Sequence, residues 1–207
     1  MRGRRSLHRI RCDEMRLFVM TRHAHSTLNV AGLVNGDPTV PAPLTDEGRA
    51  EAEQLGHQLA RLPLDLCVQT RFQRTHETAA LALGDRGVPR VTEPLLDDID
   101  IGELDGVPVA EYRAWKRAHT RDDRFPRGES LDEAAHRYAS AFRELLARTE
   151  QCVLVVCHEI PIRYALNAAG GSDELDAPEH QIPNATPYLF DDAALELAAN
   201  RIDEITR

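Results

Sequence analysis

Three short runs of apolar residues, far apart along the chain, set the expected fold class. They occupy residues 17–20, 66–68 and 152–157. Each run is rich in aliphatic side chains and too short for a helix, which is typical of a strand buried on both faces of a sheet. Helical patterns fill the segments between the runs. This alternation predicts an α/β fold, a three-layer sandwich in which helices flank a mostly parallel central sheet.

Five segments carry helical patterns or helix-start signals, and one late segment carries a strand pattern. The helical segments are residues 45–62, residues 72–83, a segment whose first helical residue is Pro108, a segment from Ser130, and a segment from His158 to Gly170. Thr45 is expected to cap the first of these helices, because its hydroxyl can accept a free backbone N–H. The start at Ser130 is a capping box. Residues 187–190 are expected to form an edge strand.

Composition and charge narrow the class of protein and of partner. The chain has 207 residues, of which 42% are hydrophobic, enough for a single domain, predicted over residues 15–207. Its net charge of −9 argues against nucleic acid or an anionic membrane as partner, since both need a basic face. No apolar run of the sequence reaches the roughly 20 residues that a membrane-spanning helix requires.

The cysteines and the N-terminal segment bear on location. The four cysteines include no Cys-x-x-Cys pair, which predicts reduced thiols and a cytoplasmic protein. Residues 1–14 carry five arginines but lack the apolar stretch of a secretory signal, so a disordered basic leader is expected there. The sequence leaves the oligomeric state open, with a dimer among the options.

Each of the three predicted strands runs into arginine or histidine at its carboxyl end. The residues are Arg22 and His23 after the first strand, Arg71 and Arg74 after the second, and His158 after the third. Ligands of open α/β sheets bind at the carboxyl ends of the strands. The guanidinium group presents a rigid fork of donors that matches phosphate oxygens. The sequence therefore predicts a phosphate site at this edge of the sheet.

Seven short motifs along residues 16–190 occur in an order that points to one family. They are Arg-His-Ala-His-Ser-Thr-Leu-Asn at 22–29, Pro-Leu-Thr-Asp-Glu-Gly at 43–48, the segment 70–79 around Arg74, Pro-Leu-Leu-Asp-Asp at 94–98, Gly-Glu-Ser at 128–130, Val-Val-Cys-His at 155–158, and Ile-Pro-Asn-Ala-Thr at 182–186. Together they resemble the signatures of the histidine phosphatase superfamily, the phosphoglycerate mutase-like branch.

The resemblance implies a phosphatase that hydrolyses small-molecule phosphate monoesters without a metal or other cofactor. His23 would attack phosphorus and form a phosphohistidine, a covalent intermediate that divides the transfer into two steps. Arg22, Arg74 and His158 would surround the phosphoryl oxygens and stabilise their charge.

The resemblance also implies roles for neighbouring polar residues. Asp98 is the candidate general acid, at a position where the family usually has Glu, and Glu129 is the reserve candidate. Ser26 and Asn29 would be supporting polar groups of the phosphate pocket. Ala24 and His25 replace Gly and Glu or Gln of the family pattern. His25 is open between a substrate contact and a surface residue.

Three alternatives remain open on the sequence. A phosphoglycerate mutase-type phosphotransferase is one, although only 31 positions separate Asp98 from Glu129, which leaves little chain for the closed lid that excludes water. A metallohydrolase built on His23, His25, His158 and Asp98 is another, opposed by the nearby arginines. The third is a catalytically weakened phosphate-binding or regulatory module. Sugar phosphates, phosphoglycerate, a nucleotide-loop precursor and phosphoproteins all remain open as substrates.

Overall fold

A computed structural model describes residues 16–206, and within them five strands and seven α-helices alternate. The strands are β1 Leu17–Arg22, β2 Leu66–Gln69, β3 Arg90–Thr92, β4 Cys152–Cys157 and β5 Pro187–Phe190. The helices are α1 Thr27–Ala31, α2 Asp46–Gln58, α3 Gln73–Leu83, α4 Val109–Ala118, α5 Leu131–Leu146, α6 Glu159–Ala169 and α7 Asp192–Ile205. The sheet order is β3-β2-β4-β1-β5. All neighbours pair in parallel except β5, which is antiparallel to β1.

Helices cover both faces of this sheet, so the predicted three-layer α/β sandwich is confirmed. Alternate residues of each strand point to opposite faces. Phe18 and Met20 of β1 pack into a core with α5, α6 and α7, whereas Val19 packs into a second core with α2 and α3. All six residues of β4 are buried, because this central strand has a strand on either side and helices above and below.

The three apolar runs and the edge strand fold as predicted, and most helices begin where their signals lie. The Thr45 side chain accepts a hydrogen bond from Gly48 N, and Ser130 forms the full capping box with Glu133. Helix α2 ends at Gln58, four residues before the predicted end. Pro108 is the residue before α4 and not its first residue.

The sequence analysis did not predict α1, β3 and α7. Helix α7 is the largest omission. The Asp191 side chain caps it by accepting a hydrogen bond from Ala194 N at 2.8 Å, and Leu195, Ala198 and Ile202 bury one face of it against the core. These signals follow the rules that located the other helices. Strand β3 has only three residues, none of them buried, so its sequence carries no apolar run.

The expectations about location concern the N-terminal leader, the cysteines and membrane-spanning helices. The leader at residues 1–14 lies outside the described residues. Cys67, Cys152 and Cys157 are buried and unpaired. Among residues 16–206, none of the helices combines the length and the apolar composition that crossing a membrane requires.

Candidate active site

The pairing of the central strands determines which side chains meet. Arg22 at the end of β1 lies beside Cys157 at the end of β4, and Val156 lies beside Gln69 at the end of β2. The residues that come next, His23, His158 and Thr70, therefore emerge at the same edge of the sheet. The rings of His23 and His158 are 5.5 Å apart between centroids and meet edge to face.

His23 is held with one ring nitrogen bonded and the other unprotonated. Its Nδ1 lies 2.8 Å from the carbonyl oxygen of Ala24. A carbonyl can only accept, so Nδ1 carries the proton and Nε2 keeps its lone pair. Burial lowers the pKa of His23 well below its usual range, and the positive charges of Arg74 and Arg22 lower it further. The ring is thus kept in the form that can act as a nucleophile.

Arg74 is a buried cation with its guanidinium group fixed on several sides. The group lies 4.2 Å over the ring of Phe72. Nη1 donates to Asn35 Oδ1 at 2.6 Å, and Nη2 is 3.2 Å from the Asp98 carboxylate and 3.3 Å from His158 Nδ1. A cation held this firmly is preorganised to receive an anion.

Arg22 is anchored at the mouth of the site by the start of α6 and the chain before β5. Its Nη1 forms an ion pair with Glu159 at 2.8 Å and donates to the Ile182 carbonyl at 2.9 Å. Glu159 in turn pairs with Arg163 at 2.9 Å. These contacts aim the Arg22 side chain while leaving part of it exposed.

Asp98 brings a carboxyl group to the same cluster. Its Oδ2 lies 3.4 Å from His158 Nδ1 and next to Arg74. Burial raises the pKa of Asp98 above its usual value, and Arg74 is the main group that opposes this shift. Asp98 also lines a cavity of about 530 Å³ that is bordered by the 36–38 and 124–129 segments. It can therefore hold a proton close to space for a ligand.

His158 is fully buried behind Asp98 and Arg74. Its Nε2 lies 2.9 Å from the Thr70 hydroxyl, and its ring packs edge-on against Phe72 with centroids 4.6 Å apart. Burial lowers the pKa of His158 well below its usual range, with Arg74 as the largest charged contributor. A neutral second histidine thus lies beside the buried guanidinium group.

Five predicted residues thus come together: Arg22, His23, Arg74, Asp98 and His158. Ser26 and Asn29 bond instead to each other, with Ser26 Oγ 3.1 Å from Asn29 Oδ1, and close the first turn of α1. Glu129 is held by Arg137 and by the backbone N–H of Asp100. These contacts occupy both oxygens of its carboxylate.

His25 and Arg71 also make contacts outside the cluster. His25 Nδ1 lies 3.2 Å from the Thr45 hydroxyl, and Arg71 pairs with the buried Asp97. Within residues 16–206, no three His, Cys, Asp or Glu side chains are grouped as a metal ion requires. The metallohydrolase alternative therefore has no ligand geometry to support it.

Four further residues support the site without having been assigned a role from sequence. They are Asn35, Thr70, Glu159 and Asn184. The Asn184 amide donates to the His23 carbonyl at 2.6 Å, and the next residue, Ala185, donates its N–H to the Arg22 carbonyl at 3.0 Å. The Pro-Asn-Ala motif was visible in the sequence. The structure shows that this motif holds the backbone of Arg22 and His23 through these two hydrogen bonds.

Close packing explains why the last residue of the 43–48 motif is a glycine. A Cβ atom on Gly48 would lie 2.0 Å from the backbone oxygen of His25. Only glycine lets the first turn of α2 approach the loop that follows His23 this closely. The motif thus packs α2 directly on the backbone of the site.

Comparison with known proteins agrees with this arrangement. The family model described as histidine phosphatase superfamily, branch 1, matches residues 18–193. The chain belongs to this superfamily. The predicted resemblance is confirmed, and with it the expectation that this histidine phosphatase superfamily member is an enzyme.

Relatives of this superfamily member include mutases and phosphatases. A 2,3-bisphosphoglycerate-dependent phosphoglycerate mutase of Methylobacterium radiotolerans is 32% identical over 194 residues, which cover 84% of this chain and 89% of that protein. Human 6-phosphofructo-2-kinase/fructose-2,6-bisphosphatase 4 is 29% identical, and the match covers 84% of this chain and 38% of that longer protein.

Solved structures show the same fold. The alpha-ribazole phosphatase from Shigella flexneri superimposes with a TM-score of 0.67 at 25% identity, covering 75% of this chain and 80% of that one. Bacillus stearothermophilus YhfR superimposes with a TM-score of 0.73 at 24% identity, covering 84% and 89%. The histidine phosphatase architecture thus extends over most of the chain.

Proposed function

We propose that the protein is a metal-independent phosphatase that hydrolyses phosphate monoesters through a phosphohistidine on His23. The observation that carries this proposal is the state of His23. Its Nδ1–H donates to the Ala24 carbonyl. Burial and the positive charges of Arg74 and Arg22 lower the pKa of its ring. A neutral imidazole beside positive charge is suited to attack the phosphorus of an anionic ester.

The proposed reaction has two steps. The Nε2 lone pair of His23 bonds to phosphorus while the bond to the ester oxygen breaks, and the protonated carboxyl of Asp98 gives its proton to the leaving alkoxide. Arg22 and Arg74 stabilise the phosphoryl oxygens. The Asp98 carboxylate then takes a proton from water as the water oxygen attacks the phosphohistidine. Phosphate leaves, and both His23 and Asp98 return to their starting states.

A mutase is the second candidate. The observation that favours it is a basic cavity, which suits a substrate with a further anionic group. The cavity has a volume of about 380 Å³. Its lining includes Asp176 and five cationic side chains, those of Arg113, Lys116, Arg117, Arg121 and Arg163. Arg163 reaches Arg22 through Glu159. We favour hydrolysis because the 99–128 segment is short for a closed lid. Release of phosphate from phosphoglycerate without formation of an isomer supports the phosphatase; interconversion of isomers supports the mutase.

We further propose that the enzyme acts in the cytoplasm on small molecules. The buried, unpaired thiols of Cys67, Cys152 and Cys157 support a reducing compartment. The negative net charge supports the absence of nucleic-acid and membrane partners.

The test replaces the proposed nucleophile. His23→Ala is compared with wild type in a metabolite phosphate-release screen in EDTA, with His57→Ala, an exposed histidine on α2, as control. We expect metal-independent release by wild type and by the control, and a loss of at least about a thousandfold in the His23 variant. A ³²P-labelled ester should leave acid-labile radioactive phosphate on the wild-type and control chains and none on the His23 variant. Undiminished turnover by the His23 variant would overturn the proposal.

A further inference from the structure

A chain of hydroxyl groups runs from His158 into the start of α3. His158 Nε2 lies 2.9 Å from Thr70 Oγ1, Thr70 Oγ1 lies 3.0 Å from Thr75 Oγ1, and Thr75 Oγ1 lies 2.8 Å from the Phe72 carbonyl oxygen. Thr70, Thr75 and His158 are each fully buried. Their polar atoms must therefore find hydrogen-bond partners within the protein and not in solvent.

The last acceptor fixes the direction of this chain. The Thr75 hydroxyl lies 2.8 Å from the Phe72 carbonyl oxygen and 3.2 Å from the Thr70 carbonyl oxygen. Neither carbonyl has a proton to give, so the hydroxyl donates to the backbone. Thr75 Oγ1 then accepts from the Thr70 hydroxyl, and Thr70 Oγ1 accepts from His158 Nε2–H. Any other arrangement leaves one of the three short contacts without a hydrogen, with two lone pairs facing each other. The proton of neutral His158 thus lies on Nε2.

This tautomer determines what His158 presents to Asp98. Its Nδ1 carries a lone pair, 3.4 Å from Asp98 Oδ2 and 3.3 Å from Arg74 Nη2. An ionised carboxylate at that position would face a lone pair, whereas a protonated carboxyl can donate to it. The opposite tautomer would place an N–H on the carboxylate and favour its ionised form.

The other charged groups near Asp98 and His158 favour ionisation of Asp98. Two guanidinium groups act in this direction on Asp98, Arg74 from α3 and Arg22 from β1. Arg137 from α5 donates to the Asp98 backbone carbonyl and lowers the pKa of His158. Glu159 from α6 opposes Arg74 and Arg22, and His23 is neutral. The phenols of the half-buried Tyr112 on α4 and of the fully buried Tyr138 on α5 are also neutral. In such surroundings, the lone pair of His158 is a specific feature that keeps a proton on Asp98.

We infer that Thr70 and Thr75 are positioning residues which hold the proton of His158 on Nε2 and thereby keep Asp98 loaded as the general acid. The inference rests on the proposed phosphatase mechanism and assigns the control of its acid. Neither threonine touches the reacting atoms. Both act through the ring of His158.

The first test is a pH profile of kcat/KM for an alkyl phosphate. Thr70→Val removes the acceptor of Nε2–H, and Thr75→Val frees the Thr70 hydroxyl to donate to Nε2. Both changes favour the Nδ1–H tautomer, so we expect the alkaline limb to move to lower pH by about half a unit to one unit. Thr70→Ser, which keeps the hydroxyl, should restore the wild-type limb. Thr21→Val, another fully buried threonine, should leave it in place.

A second substrate separates this role from a structural one. p-Nitrophenyl phosphate has a leaving group that needs no proton, so the valine variants should match wild type in the pH dependence of its hydrolysis. A partly unfolded variant would lose activity with both esters at all pH values without moving a limb. An alkaline limb that stays in place in both valine variants would overturn the inference.

The tautomer can also be read without activity. In protein with ¹⁵N-labelled histidine, we expect the His158 correlations to report a proton on Nε2 in wild type and a shift toward Nδ1 in both valine variants, with His158→Gln used for assignment. A proton on Nδ1 in wild type would contradict the inference. If His23 failed to become phosphorylated, the proposed function would fall, but this measurement would still decide the tautomer.

Discussion

Burial acts in opposite directions on the two ionisable groups proposed to react. It disfavours the charged form of each, so it lowers the pKa of His23 and raises the pKa of Asp98. The two shifts bring the pKa values toward each other, so an unprotonated imidazole and a protonated carboxyl coexist to a greater extent than they would in water. The proposed first step needs this combination, because one group attacks while the other gives a proton.

The pH dependence of kcat/KM follows from these two shifts. As pH falls through the lowered pKa of His23, the nucleophile is protonated and activity is lost; as pH rises through the raised pKa of Asp98, the acid is lost. For an alkyl phosphate we expect a bell-shaped profile whose acid limb reports His23 and whose alkaline limb reports Asp98. The measurement is kcat/KM of the free enzyme across the pH range in which it stays folded.

Asp98→Asn provides the control for the alkaline limb. The variant should lose about 10²- to 10⁴-fold with an alkyl phosphate and much less with p-nitrophenyl phosphate, whose alcohol leaves without a proton. An equal loss with both esters would show that Asp98 is not the acid.

The predictability of the site differs from residue to residue. Arg22, His23 and His158 could be located because each follows an apolar run, and strand ends meet at one edge. Asn35 could not, since its position depends on a loop held by Asp105, which accepts a hydrogen bond from Gly36 N at 2.6 Å. The hydrogen bond between Asn29 and Ser26 in the first turn of α1 is a local contact that the family pattern does not reveal.

At the scale of elements, α4 presents a basic face to a cavity whose Arg163 is joined to Arg22 through Glu159. Arg113, Lys116 and Arg117 recur at helical spacing along that face. Lys116 lies 3.7 Å from Asp176, a carboxylate that also pairs with Arg163. Lys116 and Arg163 thus share Asp176 as an acidic partner, so the cavity keeps positive charge for a second anionic group of the substrate.

Lys116→Ala tests this face of α4. For 3-phosphoglycerate, whose alcohol carries a carboxylate, we expect KM to rise about tenfold with kcat nearly unchanged, because a charge-assisted contact made equally in ground and transition states is lost. For p-nitrophenyl phosphate both constants should stay near wild type. Arg61→Ala, an exposed cation after α2, is the charge-matched control. An unchanged KM for both esters would remove α4 from substrate binding.

The elements differ in how far their sequences specify them. Strands β1, β2 and β4 are buried on both faces, so continuous apolar runs mark them. Strand β3 pairs only with β2 and has no buried residue, so its pairing depends on the backbone and its side chains give no pattern. The path of residues 99–108 also depends on distant chain, because Gly102 adopts a positive φ of 52° against the 126–128 backbone.

At the scale of the whole molecule, the two buried histidines of the site lower the free energy of unfolding at low pH. His23 and His158 are enclosed between the sheet edge and its covering helices, and burial lowers the pKa of both. In the unfolded chain both rings would titrate near pH 6.5. Below that pH the unfolded state binds protons that the folded state does not, so acidification favours unfolding.

The double variant His23→Gln/His158→Gln should therefore lose less stability on acidification than wild type does. Each histidine contributes a slope of at most about 1.4 kcal/mol per pH unit below pH 6.5, and this contribution vanishes above it. Asp98 and the surface carboxylates are present in both proteins, so their effects largely cancel in the comparison. Urea unfolding at pH 7.5 and pH 5.5 gives the free energies. Parallel losses in the two proteins would mean that the histidines bind protons as readily in the folded chain as in the unfolded one, and the neutral nucleophile would lose its physical basis.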